Sequence, residues 1–483
     1  MRKNLLTQTD SYKLNHWNQY PPKTQAVYSY FESRNGAQFP TTTFFGLQAI
    51  LKEDFVGQVV TQSKIDQAVE LATHHFGNPG LFNKAGWQHI LDIHGGYLPL
   101  SIRAVPEGTA VPVSNVLMTV ENTDSECFWL TNFVESRLTH VWHPSTVATL
   151  SRAVKMNLRR WLERTAEDGV IDAALMFMLH DFGYRGVAGD EAARMGGAGH
   201  LLNFFGTDTV PAMELAVEYY GASYEGLAYS VPATEHSVMT ARGRNGEAAV
   251  LSQLLDEYQE GILSVVGDSY DIYHFVSKMI RDNKDKILAR RPNAIGACKF
   301  VVRPDSVSPQ HPDPGDQVVW IMKELASIFG YETNIKGCHV LNPKVGVLWG
   351  DGIDKDGIDN ICRKVAEAGF STESLVFGMG GGLLQKVNRD TQRFAFKSCA
   401  QKRDGEWHDV YKEPTDASKT SKRGRMKLIQ THGDHDGVFA TVPLNDERPD
   451  VMVEVFRNGV LKTDHAWAEI RERAASKSLS EVA

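Results

Sequence analysis

From Leu175 onward the chain repeats one pattern of apolar and polar positions. Short apolar runs each end in polar or glycine-bearing residues: LMFMLHDFGYRG (175–186), GLAYSVPATEHS (226–237), ILSVVGDSYD (262–271), CKFVVRPDS (298–306), VGVLWGDGID (345–354) and SLVFGMGGG (374–382). Helix-like segments lie between them, at 191–204, 210–220, 248–259, 270–281, 317–329 and 356–368. Continuous apolar runs alternating with helices imply parallel strands covered on both faces. Such sheets carry their functional groups at the carboxyl ends of the strands, where the polar residues sit here. An open doubly wound sheet satisfies the same rhythm. An irregular parallel α/β barrel is preferred, because no run reads as an edge strand.

The flanks read differently. Residues 26–34 (AVYSYFESR) alternate like a strand, and 98–120 resemble a small meander broken at Pro106, Gly108 and Pro112. Segments 127–142 and 146–165 look helical; in the second, Leu150, Val154, Leu158 and Leu162 recur on one helix face. Past residue 393 four strand-like runs appear: FAFKSCAQ, GRMKLIQTH, GVFATVPL and DVMVEVFRNG. A basic turn region (412–425) interrupts them, and a final helix is expected at 465–475. The division expected is 1–144 (mixed α+β), 145–392 (barrel) and 393–483 (β-rich), with the N- and C-terminal segments forming one additional β-rich domain.

Composition narrows the class. The 483 residues are 42% hydrophobic and 23% charged, ordinary for a globular enzyme. A net charge of -8 argues against nucleic acid as partner. No apolar run approaches the roughly 20 residues needed to span a bilayer, and the N-terminus lacks a signal-peptide core. Cys127, Cys298, Cys338, Cys362 and Cys399 form no C-x-x-C pair, which fits a reducing cytoplasm and no structural zinc.

The candidate chemistry centres on residues 374–386, where an apolar run meets Gly378, Gly380, Gly381 and Gly382 before a segment able to open a helix. A strand, glycine loop and helix start can hold phosphate on backbone N–H groups. Neither the Walker pattern nor the dinucleotide fingerprint is matched. The other strand ends gather His180, Asp181, Arg185, Ser230, Glu235, His236, Asp268, Asp271, Arg303, Asp305 and Asp351. Asp271 alone reads as a helix cap. There is no serine nucleophile elbow, no H-E-x-x-H and no cysteine at a strand end beside a base. Asp268, Asp305 and Asp351 suit sugar hydroxyls, or alternatively paired acids hold Mg²⁺. Tyr12, Phe182 and Tyr184 suit a flat heterocycle. The residues themselves lead to a sugar-phosphate enzyme with an aromatic base as second substrate.

Motifs along nearly the whole chain extend this reading. TDSYK (9–13), YSYFESR (28–34), HDFGYRG (180–186), GTDTV (206–210), YSVPATEHS (229–237), VVGDSYDIY (265–273), RPDS (303–306), GDGID (350–354) and GGGLLQKVNRD (380–390) closely resemble the nicotinamide phosphoribosyltransferase family. The resemblance implies a type II phosphoribosyltransferase that joins nicotinamide to phosphoribosyl pyrophosphate for NAD salvage. It also implies a homodimer with active sites at the subunit interface, Mg²⁺, and ATP as coupling co-substrate. By the same resemblance Phe182 and a partner's Tyr12 sandwich the pyridine, and Asp208 accepts from its carboxamide. Arg185, Ser264 and Arg303 lie at the substrate. Asp268 and Asp305 hold ribose hydroxyls or Mg²⁺, and Gly350, Asp351, Gly380 and Gly381 cradle the ribose phosphate. Arg34, Arg389, Lys397, Lys412, Lys419 and Ser230 meet phosphates. His236 is the residue ATP phosphorylates, with Glu235 beside it.

Two positions depart from the family pattern: Val307 stands where glycine is usual and Met379 where serine is usual. Nicotinate phosphoribosyltransferase, of the same architecture, is the nearest alternative. A binding protein that lost catalysis, or a sugar-phosphate isomerase, are rivals of other classes.

Overall fold

The structure, a computed structural model, describes residues 3–413, 420–431 and 438–475. The chain divides into two compact units. One comprises Met1–Thr149, Glu214–Ala222 and Val387–Ala483, and the other Leu150–Met213 and Ser223–Lys386.

In the second unit a parallel sheet runs Gly206–Thr207, Leu179–Asp181, Leu375–Met379, Val345–Trp349, Cys298–Arg303, Gly261–Val266. Every neighbouring pair is parallel, and the register aligns Met379 with Asp181, Trp349 with Phe377, and Val266 with Arg303. That register brings the polar strand ends to one level. Phe300, Val302, Val347, Trp349 and Phe377 are buried, so the strands are covered as their unbroken apolar runs require.

The ring is completed by a segment that is not a regular strand. Tyr229 bridges to Gly206 on one edge strand, and Ala233 bridges to Ser264 on the other. Thr207 N–H donates to Tyr229 O at 3.1 Å and Thr234 N–H to Ser264 O at 3.0 Å. The expected strand at 226–237 is therefore reduced to two isolated bridges, with Pro232 between them lacking a backbone donor. The short Gly206–Thr207 strand carried no apolar run to reveal it.

The intervening helices form near the expected places: Asp190–His200, Glu247–Glu257, Pro314–Phe329 and Lys355–Glu367. Their starts are chemically marked. Asp313 accepts from Gly315 N–H with Pro314 at the first helical position, and Asp354 accepts from Gly357 N–H. Asp271 accepts from Tyr273 and His274 N–H, which makes it the cap expected. The helix expected at 270–281 starts as Ile272–His274 and widens to a π-helical stretch over Phe275–Ile280.

The first unit is built on an antiparallel sheet ordered Glu406–Asp409, Ala395–Arg403, Thr24–Glu32, Val116–Asn122, Leu100–Ala104, Val453–Arg457, Val460–Leu461. Strands from the two chain termini thus share one sheet, with Phe31 opposite Phe396 across the join. Segment 127–142 is broken into Leu130–Phe133 and Glu135–Thr139 before the long helix Trp142–Thr165 begins. Residues 214–222, within the range read as barrel, cluster instead with this unit. Among the described residues no helix is long and apolar enough to cross a membrane.

Candidate active site

The barrel mouth is organised by Asp268, which follows the Gly261–Val266 strand. One carboxylate oxygen, Oδ1, lies 3.1 Å from His236 Nε2. The other accepts from Asp305 N–H at 2.9 Å and from Ser306 Oγ at 2.6 Å. The Asp268 side chain is only 6% exposed, whereas the His236 ring is 47% exposed. A buried carboxylate with both oxygens bound is a rigid anchor, and here it fixes the orientation of an accessible imidazole. Asp305 faces the other ring nitrogen, Nδ1, at 3.8 Å and Arg303 Nε at 3.9 Å.

Glu235 takes no part in holding that ring. Its carboxylate accepts from the Ser237 hydroxyl, and it precedes the short helix His236–Met239. Adjacent residues on an extended chain point apart, and the ring is held instead by Asp268, contributed by another strand end. Ser306 is a site residue the sequence reading missed, although it sits in the RPDS motif.

Asp351 lies close enough to Asp305 and Asp268 to feel both. Burial, then those two charges, raises its carboxyl above the ordinary value. Trp349 Nε1 donates to Asp351 O at 2.9 Å, pinning the loop that carries it. A small cation held by one or two carboxylates plus substrate phosphates fits Asp305 and Asp351. Asp268, expected as a metal ligand, has both oxygens engaged within the protein.

Phe182 rests on the glycine loop. A Cβ added to Gly378 would fall 2.0 Å from Phe182 Cε2, so only glycine leaves room for the ring. A Cβ at Gly350 would lie 3.6 Å from the same ring and 3.8 Å from Asp305 Oδ1. Aromatic face, glycine backbone and carboxylate therefore converge. Gly380 approaches the Phe182 carbonyl, while a Cβ at Gly381 would meet nothing within 4 Å. Arg185 is exposed on the Tyr184–Gly186 turn, and Gly186 lies beside Gly381. Met379 is buried against Gly382, and Val307 is 43% exposed.

Asp208 joins the mouth through its backbone: its N–H donates to Asp181 O at 2.9 Å, one residue before Phe182. Its exposed carboxylate accepts from Ser230 Oγ at 2.5 Å. Below it, Asp181 is fully buried; Oδ1 accepts from Gly183 N–H at 2.7 Å, and the Thr209 side chain lies against the carboxylate. Burial pushes the Asp181 carboxyl up to about 6. Ser264 Oγ and Arg303 Nε are buried without a hydrogen-bond partner. Buried donors and acceptors left open are costly unless a ligand completes them.

The remaining expected residues belong to the antiparallel unit. Arg34, Lys412 and Arg389 lie near enough to Lys397 that, after burial, their charges help lower its ammonium pKa, with Glu135 opposing. Tyr12 is 55% exposed in the Ser11–Asn18 turn. Lys419 lies outside the described residues.

Sequence and fold comparisons give the chain's family. Residues 177–459 match the profile of the nicotinate phosphoribosyltransferase (NAPRTase) family, and residues 4–102 match the nicotinamide phosphoribosyltransferase N-terminal domain. The chain is 44% identical to nicotinamide phosphoribosyltransferase of Xanthomonas campestris pv. campestris (strain 8004), with 99% of each chain covered. It is 33% identical to that named from Acinetobacter baylyi (strain ATCC 33305 / BD413 / ADP1), covering 99% of this chain and 98% of the relative. The fold is similar to nicotinate-nucleotide pyrophosphorylase from Pyrococcus furiosus, with TM-score 0.58, 15% identity, and 98% and 95% of the two chains covered. It is also similar to human nicotinic acid phosphoribosyltransferase, with TM-score 0.54, 16% identity, and 96% and 92% covered. With more than half its length matched by one profile and near full-length relatives above 30% identity, the chain belongs to the nicotinate phosphoribosyltransferase family of pentosyltransferases.

Proposed function

We propose that the protein condenses nicotinamide with 5-phosphoribosyl 1-pyrophosphate, giving nicotinamide mononucleotide and pyrophosphate for NAD salvage in the cytoplasm. The observation that carries the choice of pyridine is Asp208, an exposed carboxylate one backbone hydrogen bond away from the strand leading into Phe182. A carboxylate there accepts from an amide NH₂ and repels the negative carboxylate of nicotinate. The names of the relatives at 44% and 33% identity support the same substrate.

The chemistry follows from the charge at the mouth. As pyrophosphate leaves, positive charge develops at the anomeric carbon and ring oxygen of the ribose. Asp305, Asp351 and the anchored Asp268 supply a fixed negative field for it. The pyridine nitrogen attacks with its own lone pair, so no general base is required. Stacking on Phe182 holds the ring in line. Mg²⁺, when bound, would neutralise the leaving pyrophosphate, with Asp305 and Asp351 as its protein ligands. Arg34, Arg389, Lys397 and Lys412 are assigned to substrate phosphates.

ATP coupling is assigned to His236. With Nε2–H donated to Asp268, the Nδ1 lone pair, 3.8 Å from the Asp305 carboxylate, is the one left to attack the γ-phosphorus of ATP. A P–N bond forms, the bond to the ADP oxygen breaks, and water later takes the phosphoryl group. The assembly is assigned as a homodimer in which Tyr12 of one copy stacks at the mouth of the other. Mixing inactive Tyr12→Ala and Asp305→Asn proteins then restores turnover through hybrids with one intact site. Persistent inactivity of the mixture, with exchange verified, sinks that assignment.

The test of the reaction is a steady-state assay of nicotinamide and nicotinate side by side, with and without ATP. Nicotinamide is expected to be preferred, with ATP raising turnover. Preference for nicotinate would overturn the role of Asp208.

A further inference from the structure

A second cluster lies outside every motif used above. His89 and His94 belong to the helix Lys84–His94, and His94 is its last residue. Gly95 and Gly96, at φ +60° and +82°, then turn the chain away. Asp124 follows the strand Val116–Asn122 and caps the Ser125–Cys127 turn, its Oδ1 accepting from Glu126 N–H at 3.0 Å. Cys127, at the end of that turn, is fully buried.

Both imidazoles converge on one atom: His89 Nε2 and His94 Nε2 each stand 2.7 Å from Asp124 Oδ2. One ligand atom from each of His89, His94, Asp124 and Cys127 lies within 4.8 Å of all the others. Imidazole, carboxylate and thiolate are the donors zinc takes, and four protein donors make a closed structural site. Bond lengths of about 2.0–2.3 Å around a tetrahedral ion set its donors roughly 3.3–3.8 Å apart. Reaching that geometry moves these side-chain atoms by about 1 Å, with the two short contacts opening and the longest closing.

We propose that His89, His94, Asp124 and Cys127 form a zinc site clamping the end of the Lys84–His94 helix to the turn after the Val116–Asn122 strand. Soft thiolate together with two imidazoles selects zinc over magnesium or calcium. On binding, the Cys127 thiol proton and the Nε2 protons pass to solvent, and no electron transfer is involved. The proposal replaces the expectation of no structural zinc, which rested on the missing C-x-x-C spacing. Two histidines five apart, an aspartate and a lone cysteine form no linear zinc motif.

A purely electrostatic anchor, in which the histidines bind only Asp124, makes no use of the thiol. The experiment therefore reads the sulfur. Full-length protein stripped with a chelator is titrated with Co²⁺, then with Zn²⁺. The expected result is one ion per chain, visible bands of tetrahedral cobalt, a thiolate-to-cobalt charge-transfer band, and displacement by zinc with a rise in melting temperature. Cys127→Ser should abolish the charge-transfer band. His94→Gln, at a partly exposed position, should weaken binding beyond the roughly 10–100-fold cost of losing an outer-shell partner. No stoichiometric binding, an octahedral spectrum, or a charge-transfer band unchanged in Cys127→Ser would overturn the proposal. A melting temperature equal to the parent's before metal is added shows that each variant is folded.

Discussion

The barrel mouth and the cationic patch of the antiparallel unit both crowd like charges, but they hold them differently. At the mouth, Asp268 is bound by His236, Ser306 and the Asp305 amide, so its negative charge is fixed before any substrate arrives. At the patch, Lys397 is depressed first by burial and then further by Arg34, Lys412 and Arg389, with Glu135 only partly offsetting. One region is preorganised by the protein's own donors. The other leaves its cations mutually repelling, offset only in part by Glu135. On the proposed function, this difference would separate a reacting centre from a phosphate-recruiting surface.

The strongest way to break the comparison is Asp305→Asn. Removing a fixed charge from the centre should cut kcat/KM by roughly 10²–10³, the scale of losing one preorganised stabilising group. A loss below about tenfold in stopped-time assays, with circular dichroism unchanged, would mean the mouth is not preorganised.

Asp181 is the exception at the mouth, a buried acid whose desolvation outweighs its hydrogen bonds, and it gives the next largest effect. Its folded value of about 6 lies above the ordinary 3.8. The folded state therefore binds this proton more tightly than the unfolded state. Stability from this group is complete below about pH 4 and is lost as pH rises through about 6, by up to about 3 kcal/mol. Asp181→Asn should raise the unfolding free energy at pH 8 and leave it nearly unchanged at pH 4, as read by denaturant titration.

Gly378→Ala should displace Phe182, because the new methyl falls inside the ring's contact distance. The KM for the pyridine is expected to rise about 10- to 100-fold, the cost of losing an aromatic contact plus its geometry. Gly381→Ala sharpens this: its Cβ meets nothing within 4 Å in the protein, so a rise in KM for the phosphorylated sugar reports the substrate itself. The smallest effect belongs to the patch. Lys397→Ala should weaken pyrophosphate binding about tenfold at low salt, a gap that closes as ionic strength rises. Equal loss at all salt concentrations in calorimetry would contradict an electrostatic recruiting role.

Much of this was legible in the sequence because parallel strands buried on both faces leave unbroken apolar runs, and their polar ends mark the mouth. The runs at 262–271, 298–306, 345–354 and 374–382 each cover a strand of the sheet to within one residue. Gly206–Thr207 escaped because two residues carry no periodicity. Glu235, next to His236 in sequence, bonds Ser237 and does not hold the ring, because a neighbour in sequence is not a neighbour in space on an extended backbone. Asp268 could be named as a site residue, but its grip on His236 depends on strand register, which no local pattern records. The His89–Cys127 cluster was invisible for a similar reason: it is assembled from a helix end and a distant turn.

The segment that completes the barrel, Tyr229 to Thr234, is held by isolated hydrogen bonds at Tyr229, Ser230, Pro232 and Thr234 and by no regular ladder, and His236 hangs just beyond it. A stave pegged at separate points, with no continuous ladder on either side, is the loosest-built seam of the cask. Amide exchange should find this slat the first plank to loosen, while the imidazole beyond it stays tied to the Asp268 carboxylate of another strand end.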